Sequence, residues 1–207
     1  MRRERLAASR LYFVLDLGPR TDEIVGAALA GGADIVQLRE KSTPDAEVVE
    51  AGRRMRALCH DRGALFVLND RPDLAVACDA DGVHVGQEDT LVAEARAVVG
   101  EHRLIGLSTH SREQLSASAG ADYVSVGPVW ATPTKEGRPA VGLELVSFAA
   151  GNAAVPFFAI GGIDQVNVAE VVAAGARRIA VVRAIRDAAD PESVARTLRS
   201  ALPHSAG

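Results

Sequence analysis

Eight short aliphatic runs recur along the chain, each followed by a turn and then by an amphipathic stretch. They are "YFVLD" (12–16), "DIVQLR" (34–39), "ALFVLND" (64–70), "GVHVG" (82–86), "RLIGLS" (103–108), "DYVSVG" (122–127), "PFFAIGG" (156–162) and "RIAVVR" (178–183). Near-continuous apolar runs of this length fit strands buried on both faces of a parallel sheet, because such strands have no solvent face to make polar. The segments between them carry helix signals. "TDEIVGAALAGG" opens on a Thr/Asp cap and ends in glycine. "TPDAEVVEAGRRMRALCHDRG" offers Thr43 as N-cap, Pro44 at the first helical position, Glu47 near the capping-box position and Gly63 as the stop. "IDQVNVAEVVAAGA" and "DPESVARTLRSAL" repeat the logic, and the small repeats "GGAD", "AGAD" and "AGAR" read as helix-to-strand turns. Eight alternations predict an α/β fold, a closed (β/α)8 TIM barrel, in a single domain over 1–207. Residues up to about 10 read as an N-terminal extension and those from about 203 as a tail. An open doubly wound sheet is the alternative, which eight even repeats disfavour. At 207 residues the chain is below the roughly 250 typical of the barrel, so most loops must be short.

One stretch, "GPVWATPTKEGRPAVG" (127–142), has the composition of a linker. Strand order places it instead between the sixth strand and its helix, on the face where such barrels carry active sites. The charge balance narrows the partners. With 23 basic and 27 acidic residues the net charge is −4, which argues against a nucleic-acid or anionic-membrane surface. No apolar run approaches the roughly 18 residues of a membrane span. "LYFVLDLGP" behind the basic "MRRERLAASR" is too short for a signal-peptide core. Cys59 and Cys78 belong to no CxxC or Cys/His cluster, so they read as reduced structural thiols in a cytoplasmic protein. Only two of the basic residues are lysines, Lys41 and Lys135, and both fall in loops at the C-terminal ends of strands. A compact ammonium suits a phosphate as a point charge, although an arginine-rich genome would explain the scarcity equally.

The strand ends deliver a convergent polar set: Gln37, Arg39, Glu40 and Lys41 from the second, Asn69, Asp70 and Arg71 from the third, and Gln87, Glu88 and Asp89 from the fourth. The fifth brings Ser108, Thr109 and His110, the sixth Thr132, Thr134 and Lys135, the seventh Gly161 and Gly162, and the eighth Arg183. A pocket with both signs of charge follows. Asp70 and Asp89 are candidates for a Mg2+ site, since that hard ion takes oxygen ligands and keeps several waters. They serve equally as helix N-caps, which strand-to-helix loops routinely need. "AIGGID" can receive a phosphate on backbone N–H groups, or the glycines simply permit a tight turn. His110 reads as an acid/base group or a structural hydrogen-bonder, His84 as a core residue, and Trp130 as a wall or a loop anchor. Arg53/Arg54 and Arg177/Arg178 read as solvated faces.

Six segments together resemble thiamine phosphate synthase: "QLREK" (37–41), "NDRPDLAVACDADGVHVGQED" (69–89), "GLSTH" (106–110), "ADYVSVGPVWATPTK" (121–135), "PFFAIGGI" (156–163) and "AVVRAI" (180–185). The resemblance implies a barrel that joins a pyrimidine diphosphate to a thiazole phosphate and releases pyrophosphate, in thiamine biosynthesis. It assigns Gln37, Arg39, Lys41, Asn69, Ser108 and Lys135 to the pyrimidine diphosphate, with Glu40 also among the substrate-binding residues. Asp70 and Asp89 become ligands of Mg2+. Thr132, Thr134, Gly162 and the segment Val182–Arg183 would hold the thiazole phosphate, with Arg183 standing where serine is expected. Ser108, Lys135, Arg39 and Lys41 would carry the chemistry. The partners implied are the two phosphorylated small molecules, with no nucleic acid and no membrane, and a homo-oligomer left open. A thiazole tautomerase working through His110 without metal, and a non-catalytic sensor on the same barrel, are the competing readings.

Overall fold

A computed structural model describes residues 1–132 and 139–203. Eight parallel strands close into a barrel in sequence order, β1 (Leu11–Leu15), β2 (Ile35–Leu38), β3 (Leu65–Asn69), β4 (Gly82–Val85), β5 (Leu104–Thr109), β6 (Tyr123–Val126), β7 (Phe157–Ile160) and β8 (Ile179–Val181), with β8 pairing back onto β1. Every aliphatic run is a strand, within a residue or two of its expected limits. Ten helices are described, α1 (Arg2–Ala8), α2 (Thr21–Ala30), α3 (Asp45–Asp61), α4 (Pro72–Ala77), α5 (Val92–Val99), α6 (Arg112–Ser116), α7 (Gly142–Asn152), α8 (Val168–Ala173), α9 (Arg183–Arg186) and α10 (Pro191–Ala201).

The period of two along each strand divides its side chains between two cores. Outward residues such as Phe13, Val36, Phe66, Val83 and Val124 pack under the helices. Inward ones, including Tyr12, Ile35, Leu65, Leu104, Tyr123 and Phe158, fill the barrel with Leu6 of α1. Tyr12 and Tyr123 meet Phe158 edge-on at ring-centroid distances of 5.3 and 5.7 Å, a favoured aromatic geometry. Inward positions turn polar toward the C-terminal ends: Ile35 gives way to Gln37, Val67 to Asn69, Leu104 to Ser108 and Tyr123 to Ser125. That gradient makes the lower barrel a plug and the upper barrel a site.

The turns before β2, β4 and β6 follow one design. Asp34, Asp81 and Asp122 each accept a backbone N–H from the preceding strand, Leu11 at 2.9 Å, Phe66 at 3.0 Å and Ile105 at 2.8 Å. The first ten residues are no loose extension. Arg2 and Arg3 of α1 reach Asp81 and Asp122, each at 2.8 Å, so the helix closes the N-terminal mouth. At the start of β8, Arg178 holds the corresponding place and donates to the carbonyls of Ala7 and Ser9. It is therefore an anchor of α1 rather than a solvated residue. Cys59 and Cys78 are buried free thiols, and burial pushes the Cys59 thiol up to about 12.

Several caps differ from expectation. Thr21 lies inside α2 and exchanges hydrogen bonds with Gly18 instead of capping. The long helix α3 begins at Asp45, one residue later than expected, with Pro44 outside it and no side-chain cap at Thr43. Its end is as expected, since Gly63 takes φ 71° and its N–H returns to His60. Residues 164–167 form a turn around Asp164 and Asn167 before α8 rather than its first turn. Asp190 caps α10 by accepting from the N–H of Ser193, as the "DPES" pattern implies.

Candidate active site

A cavity of about 330 Å³ opens at the C-terminal ends of the strands. Gln37, Arg39, Asn69, Ser108, Thr132, Gly162, Val182 and Arg183 line it, as the sequence leads one to expect, together with His110. Lys41, Asp70 and Asp89 sit beside it on the β2–α3, β3–α4 and β4–α5 loops. Thr134 and Lys135 lie outside the described residues.

Neither aspartate caps a helix: α4 begins after Arg71 and α5 after Leu91, without a bond from Asp70 or Asp89. Asp70 adopts φ 61°, a left-handed conformation that aspartate tolerates better than most residues. Its N–H is held by the carbonyl of His84 at 2.8 Å. The carboxylate of Asp89 accepts the N–H of Gly86 at 3.0 Å, and a Cβ at Gly86 would stand 2.5 Å from that oxygen, so the glycine permits the loop. The two carboxyls are neighbours across these loops. Burial pushes the Asp70 carboxyl above its ordinary pKa, the neighbouring Asp89 carboxylate pushes it further, and Lys41 and Asn69 oppose the shift. Lys41 Nζ lies 3.7 Å from Asp70 Oδ2. Asp70 is half-buried and Asp89 exposed, and two carboxylates held this close favour a cation beside them.

Glu40 is occupied within the protein, accepting from the N–H groups of Leu17, Lys41 and Ser42 and from the Ser42 hydroxyl. Burial alone would raise its pKa, but these bonds bring it below the usual value. Its role in the geometry is to clamp the β1–α2 and β2–α3 loops together. Arg39 and Arg183, by contrast, make no side-chain hydrogen bond or ion pair among the described residues.

The glycine pair has a packing reason as well as conformational freedom. Gly161 and Gly162 take φ 104° and 70°, and Cβ atoms there would press on Pro128 and Trp130. Trp130 N donates to Gly161 O at 3.1 Å, so the tryptophan anchors the loop beyond β6 to the one beyond β7. His110 Nδ1 bonds the carbonyl of Gly127, steadying the start of the same loop.

The sequence reads His84 as a core residue, and it is buried. It also lines the floor of the cavity with Tyr12 and Ser125, which the sequence did not single out, and with Tyr123 just beneath. His84 bridges Tyr123 Oη at 3.2 Å and Ser108 Oγ at 3.0 Å. The signal that finds them is the period of two: each shares the inward face of its strand with a residue already singled out or with its neighbour in register.

The chain matches the family model described as thiamine monophosphate synthase over residues 11–185, which takes in every barrel strand. The chain belongs to the thiamine monophosphate synthase family. A thiamine-phosphate synthase of Thermobifida fusca is 50% identical over 208 residues, covering 97% of this chain and 95% of the relative. One from Nostoc punctiforme is 49% identical over 203 residues, 97% of this chain but 58% of the relative, so the chain spans little more than half of that protein. Among solved structures, a thiamine phosphate pyrophosphorylase from Pyrococcus furiosus superposes with a TM-score of 0.87 at 36% identity, covering 96% of both chains. Within this family frame, no described helix is long and apolar enough to cross a membrane.

Proposed function

We propose that the chain is a Mg2+-dependent thiamine phosphate synthase, coupling a 4-amino-2-methyl-5-(diphosphooxymethyl)pyrimidine to a thiazole phosphate, with or without a ring carboxylate. The observation that carries this reading is the neighbouring carboxylates of Asp70 and Asp89, with Lys41 beside them and Arg39 lining the adjoining cavity. Acidic and basic groups side by side suit a metal-bound diphosphate rather than a neutral ligand. The relatives' names supply the reaction, and the chain's own residues supply its parts.

Asp70 and Asp89 fit Mg2+, since two adjacent carboxylates are stable as a doubly ionised pair when a cation lies between them. When bound, the metal supplies charge neutralisation for the departing diphosphate. Arg39, Lys41 and Lys135 bind the phosphates and stabilise the charge that grows as the bond from the exocyclic methylene carbon to the diphosphate oxygen breaks. The electron pair leaves with pyrophosphate. The aminopyrimidine delocalises the positive charge left on the methylene, which favours a dissociative path. The thiazole nitrogen then donates its lone pair to form the new C–N bond, and a ring carboxylate, where present, leaves as CO2 with its bonding pair returned to the ring, so no general base is needed. Gln37, Asn69 and Ser108 orient the pyrimidine, and Thr132, Thr134, Gly162 and the backbone of Val182–Arg183 hold the thiazole phosphate. Holding both reactants in a cationic cavity supplies much of the acceleration through positioning.

The test is incubation of the purified chain with both substrates and Mg2+, reading thiamine phosphate and pyrophosphate together. Stoichiometric release of both supports the reading, and the absence of both sinks it. Conversion between thiazole tautomers that is lost in His110→Ala and kept in Asp70→Ala would instead identify a tautomerase.

A further inference from the structure

Beneath the cavity, polar side chains from five strands form one buried series of hydrogen bonds. Gln37 Nε2 donates to Tyr12 Oη at 2.5 Å, and Tyr12 Oη lies 2.9 Å from Tyr123 Oη. Tyr123 Oη lies 3.2 Å from His84 Nδ1, and His84 Nε2 lies 3.0 Å from Ser108 Oγ. Phenol, imidazole and hydroxyl each give one proton and receive another, so the direction chosen at one end propagates to the other. An amide nitrogen only donates. With Gln37 Nε2 donating, the Tyr12 proton turns to Tyr123 and the Tyr123 proton turns to His84 Nδ1. The single ring proton of a neutral imidazole is then left on Nε2, aimed at Ser108 Oγ. Ser125 Oγ donates to the same oxygen at 3.5 Å. The serine oxygen, receiving on this side, directs its own proton into the cavity it lines.

Two further observations support the series. Burial pushes the pKa values of Tyr12 and Tyr123 well above the ordinary phenol value, so each keeps the proton it passes along. Gly106, between His84 and Tyr123 on the middle strand of the three, leaves the space through which they meet. A Cβ there would fall on the Tyr123 ring and hydroxyl and on His84 Nδ1. Strand β5 is thus shaped for this contact.

We infer that Gln37, Tyr12, Tyr123 and His84 act as a polarity device, which holds His84 as its Nε2–H tautomer and presents the Ser108 hydroxyl to the substrate as a hydrogen-bond donor. The four are positioning residues, and Ser108 is the group that touches the ligand. The inference rests on the proposed reaction only for what Ser108 meets there, an acceptor nitrogen of the pyrimidine or the departing oxygen. The reverse arrangement, with the Gln37 carbonyl accepting from Tyr12, would place the ring proton on Nδ1. It would turn the Ser108 proton onto His84, so the two arrangements share every heavy atom and differ in what the cavity offers.

Nitrogen NMR of the 15N-histidine-labelled chain, free of ligand at neutral pH, decides between them. The His84 resonances are assigned by their loss in His84→Gln. The expected result is a protonated, pyrrole-type Nε2 with a pyridine-type Nδ1. A pyrrole-type Nδ1, or a ring protonated at both nitrogens, overturns the inference. Tyr123→Phe removes the donor to Nδ1 and is expected to mix the tautomers and lower kcat about fivefold to tenfold, the size of one lost hydrogen bond. The KM for the thiazole phosphate stays unchanged. An Nε2–H tautomer that persists undiminished in Tyr123→Phe, with kcat unchanged, also overturns it. The expected tautomers in a chain that makes no thiamine phosphate would leave the device standing and sink only the reaction.

Discussion

The two ends of the barrel use the same residue types to opposite effect. At the N-terminal end, Asp81 accepts from Phe66 N and Arg2 with Arg56 nearby, and Asp122 accepts from Ile105 N, Arg3 and Arg96. Asp34 is met by Arg10 N, Leu11 N and Arg199. At the C-terminal end, Asp70 faces a second carboxylate and meets Lys41 at a loose 3.7 Å, while Arg39 and Arg183 have no ion pair among the described residues. Charges answered from within hold the fold. Charges left unanswered, on the same scaffold, are arranged for something that arrives from outside.

The largest test of that contrast is Asp81→Ala. Asp81 is almost fully buried, and its loss leaves the Phe66 N–H without its acceptor and takes the buried carboxylate away from Arg2 and Arg56. Breaking a buried pair of this kind costs about 3–5 kcal/mol, to be read from urea unfolding, with turnover per folded molecule unchanged. A turnover loss matching the stability loss would erase the division between the ends.

Asp70→Asn should do the reverse. Turnover is expected to fall about a hundredfold or more, as for loss of a group that neutralises a developing charge. The metal-free protein should meanwhile gain on the order of 1 kcal/mol. The sign follows from the pKa, which burial first and Asp89 second raise above the unfolded value. Stability tied to this group is therefore complete below the unfolded pKa and declines as pH rises through the folded one. Asparagine removes that decline, so the gain in urea midpoint should be absent in acid and grow toward neutral pH with chelator present. A destabilised variant at neutral pH would show that the pair is structural.

The barrel was legible because every strand run is apolar on both faces, and strand-helix alternation leaves few topologies. The role of α1 was not, since "MRRERLAASR" shows one core residue, Leu6, and its arginines gain meaning only when the chain brings Asp81 and Asp122 beneath them. Asp70 and Asp89 were visible as a pair, yet the choice between a pair and two helix caps stayed open, because a cap and a metal ligand differ in backbone conformation rather than in spacing. His84 and Tyr123 were hidden among aliphatic neighbours, where polarity reads as core filling. Counting by twos from Gln37, Asn69 and Ser108 around the barrel would have exposed the polar layer.

That layer belongs to neither end and tests the boundary between them. Gly106→Ala inserts a methyl group between Tyr123 and His84, and overpacking of this kind costs about 1–3 kcal/mol. Because the displaced atoms also support Ser108, kcat should fall alongside the urea midpoint, unlike in either aspartate variant. A stability loss with full kcat would place the layer with the lower barrel.

The smallest effect is expected from Arg183→Ser, and it asks how far the unanswered charge at the upper end matters. Arg183 is exposed at the start of α9 and lines the main cavity. It also lines a smaller one of about 290 Å³ with Arg39, Arg186 and Asp16. Arg186 is committed to Asp16 and Asp187 at 2.9 and 2.7 Å, which leaves Arg183 and Arg39 as the cations available to an anion on that side. Its backbone N–H survives any substitution except proline, so the phosphate contact assigned to the main chain should persist. What changes is a solvated guanidinium, worth at most about 1 kcal/mol, so the KM for the thiazole phosphate should rise no more than about fivefold with kcat unchanged. The ratio of variant to parent KM should fall toward unity near 1 M salt, where the screening length is only about 3 Å. A ratio that ignores salt would mean that the side chain acts through shape, and the contrast between the two ends would then owe nothing to its charge.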